Sequence, residues 1–287
     1  MISVLKHELS NYFYSLTTYI FGGILLLFVG IGAMFYNIQQ AVANFEFVLS
    51  FVSLVFVVIV PILTMRVIAE ERKQKTDQLL YSLPITTSQV IIGKFGALLI
   101  IYFIPLCIIS LYPLIFSQFG ELYLLTSYGS ILAFFLLGAA LISVGIFISS
   151  LTENQGFAAG ITMLLILFNY FSVSMAEHLS ATAMGSLIAL LVLELLLGAL
   201  IRHLTQNDNL GFFASILLIM ATGIVYLVDT TKFEGLLPEI MTKLSLFERF
   251  NSFVNGVFDM TAIVYYLTVT VFFLFLSVQS LEKRRYN

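Results

Sequence analysis

The chain has 287 residues, 60% of them hydrophobic and 10% charged, with a mean hydropathy of +1.03 and a formal net charge of −3. Soluble domains average about 25% charged residues, so the composition excludes a soluble enzyme or a nucleic-acid binder and marks a polytopic membrane protein. The one cysteine, Cys107, lies inside an apolar run, which excludes a disulfide framework and a cysteine-based metal cluster.

Before the first apolar run, Val4, Leu5, Leu9, Tyr12, Phe13 and Leu16 share one side of a helical wheel. Lys6, His7, Ser10, Asn11 and Tyr14 share the other, so residues 1–16 read as an amphipathic helix in the membrane interface. Glu8 and the lack of a small-residue cleavage site argue against a removable signal peptide. Runs of spanning length, about 20 residues, follow at 17–36, 47–66, 93–117, 127–151, 156–176, 184–201, 210–228 and 261–281. Residues 17–287 therefore read as an all-α transmembrane bundle of eight spans, or six if the hairpin at 184–228 only dips into the membrane. Ten of the thirteen basic residues (Lys6, Arg66, Arg72, Lys73, Lys75, Lys94, Arg202, Lys283, Arg284, Arg285) then fall on one side. By the positive-inside rule that side is cytoplasmic and holds both termini.

The polar loop 66–94 interrupts the apolar sequence. Its opening charges, Arg66 to Lys75, end a span. Thr76 and Asp77 then suit the start of a short helix carrying Leu79, Leu80, Tyr81 and Leu83, which Pro84 stops. Thr86 and Gln89 have the spacing of a capping box opening the next helix. A short helix with exposed leucines between two spans is built to be gripped by a soluble partner.

Pro105 and Pro113 predict a kink in the third span. Thr152 and Gln155 repeat the capping-box spacing in the short turn 149–156, which reads either as a tight hairpin or as a second contact point for the partner of the first loop. Glu194 is the one ionisable residue expected in mid-span, a proton site or a protonated acid bonded to a neighbouring helix. In the outer segment 229–260, Ile240, Leu244, Phe247, Phe250, Val254 and Val257 recur at helical spacing after Pro238, predicting one amphipathic surface helix. Leu281–Arg285 reads as a basic anchor, with no further domain expected after it.

No catalytic set emerges. His7, His178 and His203 have no metal spacing, and Gly93-Lys94 is followed by Phe95 where a phosphate loop needs Ser or Thr, with Ser88 where it needs Gly.

Four segments carry a resemblance. They are Lys6-His-Glu8-Leu with Tyr12-Phe13; Glu70-Glu71-Arg72-Lys73 through Thr76-Asp77-Gln78-Leu79-Leu80, Leu83-Pro84 and Gly93-Lys94-Phe95; Ile148 to Gln155; and Phe250 to Asp259 with Val264 to Leu267. On these the chain resembles the membrane subunit of ABC-2 type (ABC exporter, type V) transporters, nearest the gliding-motility and nitrous-oxide-reductase-maturation branch. The family usually has Gly before the Thr of this loop; here Lys75 stands there, so a different local turn is expected.

The resemblance implies a six-span core and a permease of the bacterial cytoplasmic membrane, paired with a second copy or a related permease. Each would be clamped by a separate ABC ATP-binding subunit that holds ATP and Mg, this chain itself being neither enzyme nor cofactor carrier. Thr76, Asp77, Gln78, Leu79, Leu80, Tyr81, Leu83 and Pro84 would form the coupling helix, and Thr152, Glu153 and Asn154 the second ATPase contact. Ser50, Ser53, Val57, Met163, Leu167, Asn169 and Tyr170 would line a cavity for an amphipathic, lipid-like or peptide cargo. An extracytoplasmic accessory subunit and membrane lipids complete the implied partners. The competing readings are a scaffold that recruits a cytoplasmic protein and a proton-coupled carrier using Glu194.

Overall fold

The computed structural model describes residues 2–42, 44–76, 85–178, 182–205 and 207–286, and all their regular structure is helical. Long runs of Leu, Ile, Val, Phe and Ala leave the backbone no solvent to bond in a bilayer, and a helix satisfies its polar groups internally. The chain forms two compact units, Met1–Tyr170 with Arg249–Asn287, and Phe171–Glu248.

The first unit is built around one helix, α8 (Leu124–Leu151); 78% of its most apolar stretch is buried by the chain itself. Before it come α1 (Ile2–Phe13), α2 (Leu16–Gly32, continued by a π-helical stretch Ala33–Gln39), α3 (Glu46–Ser53), α4 (Phe56–Thr64), α5 (Ala69–Lys73), α6 (Thr87–Ile109) and α7 (Leu111–Phe116). After it come α9 (Gln155–His178), whose last residues enter the second unit, and α14 (Met260–Tyr286). α3, α4, α6 and α14 all pack on α8. At the centre Phe56 stacks on Phe134 with ring centroids 4.6 Å apart. Tyr102 donates its buried hydroxyl to the Phe134 carbonyl at 2.7 Å, so the one polar atom of that aromatic cluster is satisfied.

The structure adds detail to two expectations and corrects a third. The second span is not one straight helix: α3 and α4 bend by 59° at their junction. The amides of Val55 and Val57 bond to the carbonyls of Val52 and Leu54 at 2.9 and 3.1 Å. These are tight i→i+3 bonds, and the Ser53 hydroxyl donates to the Ser50 carbonyl in the same turn. The third span runs through Pro105 and gives way only at Ser110, between its two prolines. α9 is capped not by Thr152 but by Asn154, whose Oδ1 accepts from the amides of Gly156 and Phe157 at 3.0 and 3.3 Å. Thr152 instead accepts from the Asn154 amide at 3.1 Å. The Thr86–Gln89 capping box on α6 is present as expected.

In the second unit α10 (Ala183–Thr205) and α11 (Asp208–Val228) lie side by side, followed by a 3₁₀ turn (Thr230–Phe233) and α12 (Leu236–Leu244). Only 6% of the apolar stretch of α11 is buried by the chain. The predicted single amphipathic helix of 229–260 is two, α12 and α13 (Leu246–Val254). Ser245 breaks it with an extended backbone, and its hydroxyl accepts from the Glu248 amide at 3.2 Å. Val257 falls beyond α13, after the turn made by Gly256 at φ +80°.

Among the described residues six helices are long and apolar enough to cross a membrane, and the bent α3–α4 pair makes a seventh. The sixth of the eight expected spans is represented by Ala183–Ala199, at the lower limit of spanning length.

Candidate functional site

The polar groups of the first unit gather around the loop 66–94. Its descending limb is fixed before the loop turns. Where α5 begins, the free amides of Ile68 and Ala69 both donate to the Ser149 hydroxyl of α8 at 3.1 Å. Ser149 in turn donates to the Met65 carbonyl at 3.3 Å. A serine from the buried helix thus caps α5 from outside it. One turn on, Arg72 is buried and its Nη1 donates to the carbonyls of Ser150 and Thr152, at 2.5 and 3.3 Å, where α8 ends. That placement answers the negative end of the α8 dipole. Arg72 therefore ties the base of the loop to the turn that holds Thr152, Glu153 and Asn154. Glu153 accepts from Arg284 at 3.4 Å on the exposed side of that turn.

Lys75 has φ +58°. This is the left-handed conformation that glycine adopts freely and other residues take at a cost of about 1–2 kcal/mol. A lysine thus occupies a turn position whose backbone conformation favours glycine. Thr76 closes α5, its amide and hydroxyl both donating to the Glu71 carbonyl at 2.9 and 3.2 Å. The other coupling residues, Asp77, Gln78, Leu79, Leu80, Tyr81, Leu83 and Pro84, lie outside the described residues.

The ascending limb carries a buried charge that sequence reasoning missed. Lys94 is 1% exposed and donates to Glu8 of α1 and Glu71 of α5, each at 2.7 Å. Gly93 explains why α1 can sit there: a Cβ on it would lie 3.0 Å from the Val4 side chain, and one on Gly96 would be equally close to Leu5. The Gly-Lys pair is thus no failed phosphate loop but a docking seat for α1. The amphipathic reading of α1 also changes, because Glu8 is its most buried residue. An acid among apolar residues gave no hint of this, since its lysine partner lies 86 positions away.

α1, α5 and α6 border an open cavity of about 700 Å³, lined by Glu8, Tyr12, Arg66, Glu70, Glu71 and Lys94 among others, with Thr76 and Ile85 on its wall. Burial pushes the Tyr12 phenol well above its ordinary range, and the carboxylates of Glu8, Glu71 and Glu70 push it further the same way. The cavity is accordingly electronegative at that point.

The remaining predicted residues lie elsewhere. Ser53 and Val57 are buried, whereas Met163 on α9 is 41% exposed. Ser50, Leu167, Asn169 and Tyr170 are half-buried. Glu194 of α10 is buried and accepts a hydrogen bond from Thr222 of α11, with its second oxygen unpartnered among the described residues. It is not alone as a buried ionisable group. Besides Lys94, Glu46 at the start of α3 is 2% exposed and accepts from Ser127 of α8 at 2.8 Å. No group of His, Cys, Asp and Glu that could hold a metal occurs among the described residues.

The family model for the ABC-2 family transporter protein matches residues 33–232. No curated protein and no solved structure matches the chain. The match covers well over half of the sequence, and the chain belongs to the ABC-2 transporter family. It is a multi-pass membrane protein and a permease component of an ABC transporter, a family that works with ABC ATP-binding partners.

Proposed function

We propose that this permease is the membrane half of an ATP-driven exporter of the bacterial cytoplasmic membrane, from the gliding-motility and nitrous-oxide-reductase-maturation branch. Two permeases, identical or related, pair side by side with both termini in the cytoplasm. A separate subunit binds ATP and Mg and grips residues 76–84, with Thr152, Glu153 and Asn154 as a second contact. Closure of the ATPases pushes the coupling segment and tilts the bundle, switching a central cavity between its two faces. Ser50, Ser53, Val57, Met163, Leu167, Asn169 and Tyr170 form the wall of that pathway at the dimer axis, and its apolar character suits an amphipathic, lipid-like or peptide cargo.

The observation that carries this reading is the rooting of loop 66–94. Ser149 and Arg72 fasten its descending limb to α8, the most buried helix, and Lys94 fastens its ascending limb to α1 and α5. A loop that served only as a connection has no need of three buried polar attachments. The test places Leu79→Asp and Leu80→Asp in the complex with its ATPase. Both are expected to lower transport and stimulated ATP turnover at least tenfold while the bundle keeps its melting temperature. Unchanged coupling in both, or transport by this chain alone under a pH gradient, overturns it.

A further inference from the structure

Near its cytoplasmic end α14 reads Gln279-Ser280-Leu281-Glu282-Lys283-Arg284, and Glu282 is the only acid in the helix. A carboxylate there faces the negative end of its own helix dipole, so α14 gains nothing from it. A neighbouring helix does. The Thr87 hydroxyl, in the first turn of α6, donates to Glu282 Oε1 at 2.7 Å across 195 positions of sequence. Thr87 is 5% exposed. Thr86 and Gln89 already make the capping box of α6, so this bond is an addition to it, one that brings a carboxylate to the positive end of the α6 dipole.

The other side of the same turns holds α8. Ser280 is buried and donates to the Ser150 carbonyl at 3.2 Å. Arg284 donates to the Leu151 carbonyl at 3.5 Å and to Glu153 at 3.4 Å. Residues 280 and 284 share one side of a helix, whereas residue 282 points nearly the opposite way. The end of α14 is therefore wedged between the end of α8 and the start of α6 and bonded to both. The Ser150 carbonyl also accepts from Arg72, so its two lone pairs serve α5 and α14 together. Lys94 joins α6 back to Glu71 of α5. α5, α8, α14 and α6 thus form a closed ring of side-chain bonds around the base of loop 66–94.

We propose that Glu282 is a positioning residue for coupling. From the C-terminal helix it fixes the first turn of α6, and so holds the ascending limb of the loop at a set spacing from the turn that carries Thr152, Glu153 and Asn154. This rests on the reading of those two segments as the ATPase contacts. Two contacts pressed by one partner move the bundle together only if neither yields alone. The next side-chain tie of α6 to another element among the described residues is Lys94, about two turns further along. Glu282 is what holds the limb at its entry.

The test has two readouts: permease-stimulated ATP turnover of the complex with its ATPase in lipid nanodiscs, and hydrogen exchange at the amides of residues 89–92 in the purified full-length chain. Thr87→Val and Glu282→Leu are each expected to lower stimulated kcat about tenfold, the effect of losing one hydrogen bond to a charged group. KM for ATP stays unchanged, because the nucleotide sits on the other subunit. The double variant falls no further than either single one, since both remove the same bond. Exchange at 89–92 quickens in all three, and Thr87→Ser, which keeps the hydroxyl, restores wild-type turnover and exchange. Circular dichroism checks that every variant stays folded. Wild-type exchange in folded Glu282→Leu overturns the proposal, and so does a double variant whose two losses multiply. Stimulation lost in Leu79→Asp but kept in Glu282→Leu sinks this proposal alone, whereas stimulation kept in both sinks the coupling reading with it.

Discussion

In the unit formed by Met1–Tyr170 and Arg249–Asn287, the Lys94 ammonium lies 2.7 Å from each of two carboxylates with 2% of its side chain exposed. In the unit Phe171–Glu248, the pairs Arg202–Asp208 and Lys243–Glu239 are just as short, 2.7 and 2.6 Å, yet each of the four side chains is more than half exposed. Equal distances here do not mean equal energies. A buried ion that loses its partner keeps its desolvation cost, whereas an exposed one regains water. The same contrast holds for close packing. Gly138 faces the Tyr102 ring so closely that an added Cβ would sit 2.5 Å from it, while Gly223 of α11 has nothing within 4 Å.

The largest effect expected from this contrast is on Lys94→Met. It leaves Glu8 and Glu71 buried around an apolar side chain, and thermal unfolding in detergent should show a loss of about 3–5 kcal/mol. A loss under about 1 kcal/mol would break the comparison. Next comes the same substitution made in both units. Gly138→Ala should cost about 1–3 kcal/mol, because the Tyr102 ring is held by its hydroxyl and cannot step aside. Gly223→Ala should instead gain about 0.5–1 kcal/mol from reduced backbone entropy. The smallest effect is on Lys243→Ala, a change within about 0.5 kcal/mol that added salt should largely erase.

Much of the architecture was legible because hydropathy and capping are local properties. The apolar runs located the candidate spans, and Thr86 with Gln89 announced the start of α6. What escaped depends on residues distant in sequence or on competition between local choices. Lys94 was read as a marker of membrane sidedness, since nothing beside it reveals carboxylates 86 and 23 positions away. The bend between α3 and α4 carries no proline or glycine at its junction, only a change from i→i+4 to i→i+3 bonding. Thr152 and Asn154 are both good caps two residues apart, and spacing alone chose the wrong one. Lys75 is a further case: nothing in its identity signals the left-handed backbone that it adopts.

The serine that caps α5 from α8 has a mechanical consequence. With Ile68, Ala69 and Arg72 all bonded to the last turn of α8 and the residues just after it, the loop cannot recoil by itself when something presses on its tip. In the proposed coupling, a load on the loop would therefore reach α8 and the turn to α9 through buried hydrogen bonds. The two polar turns at this end are thereby joined to each other by the Arg72 guanidinium.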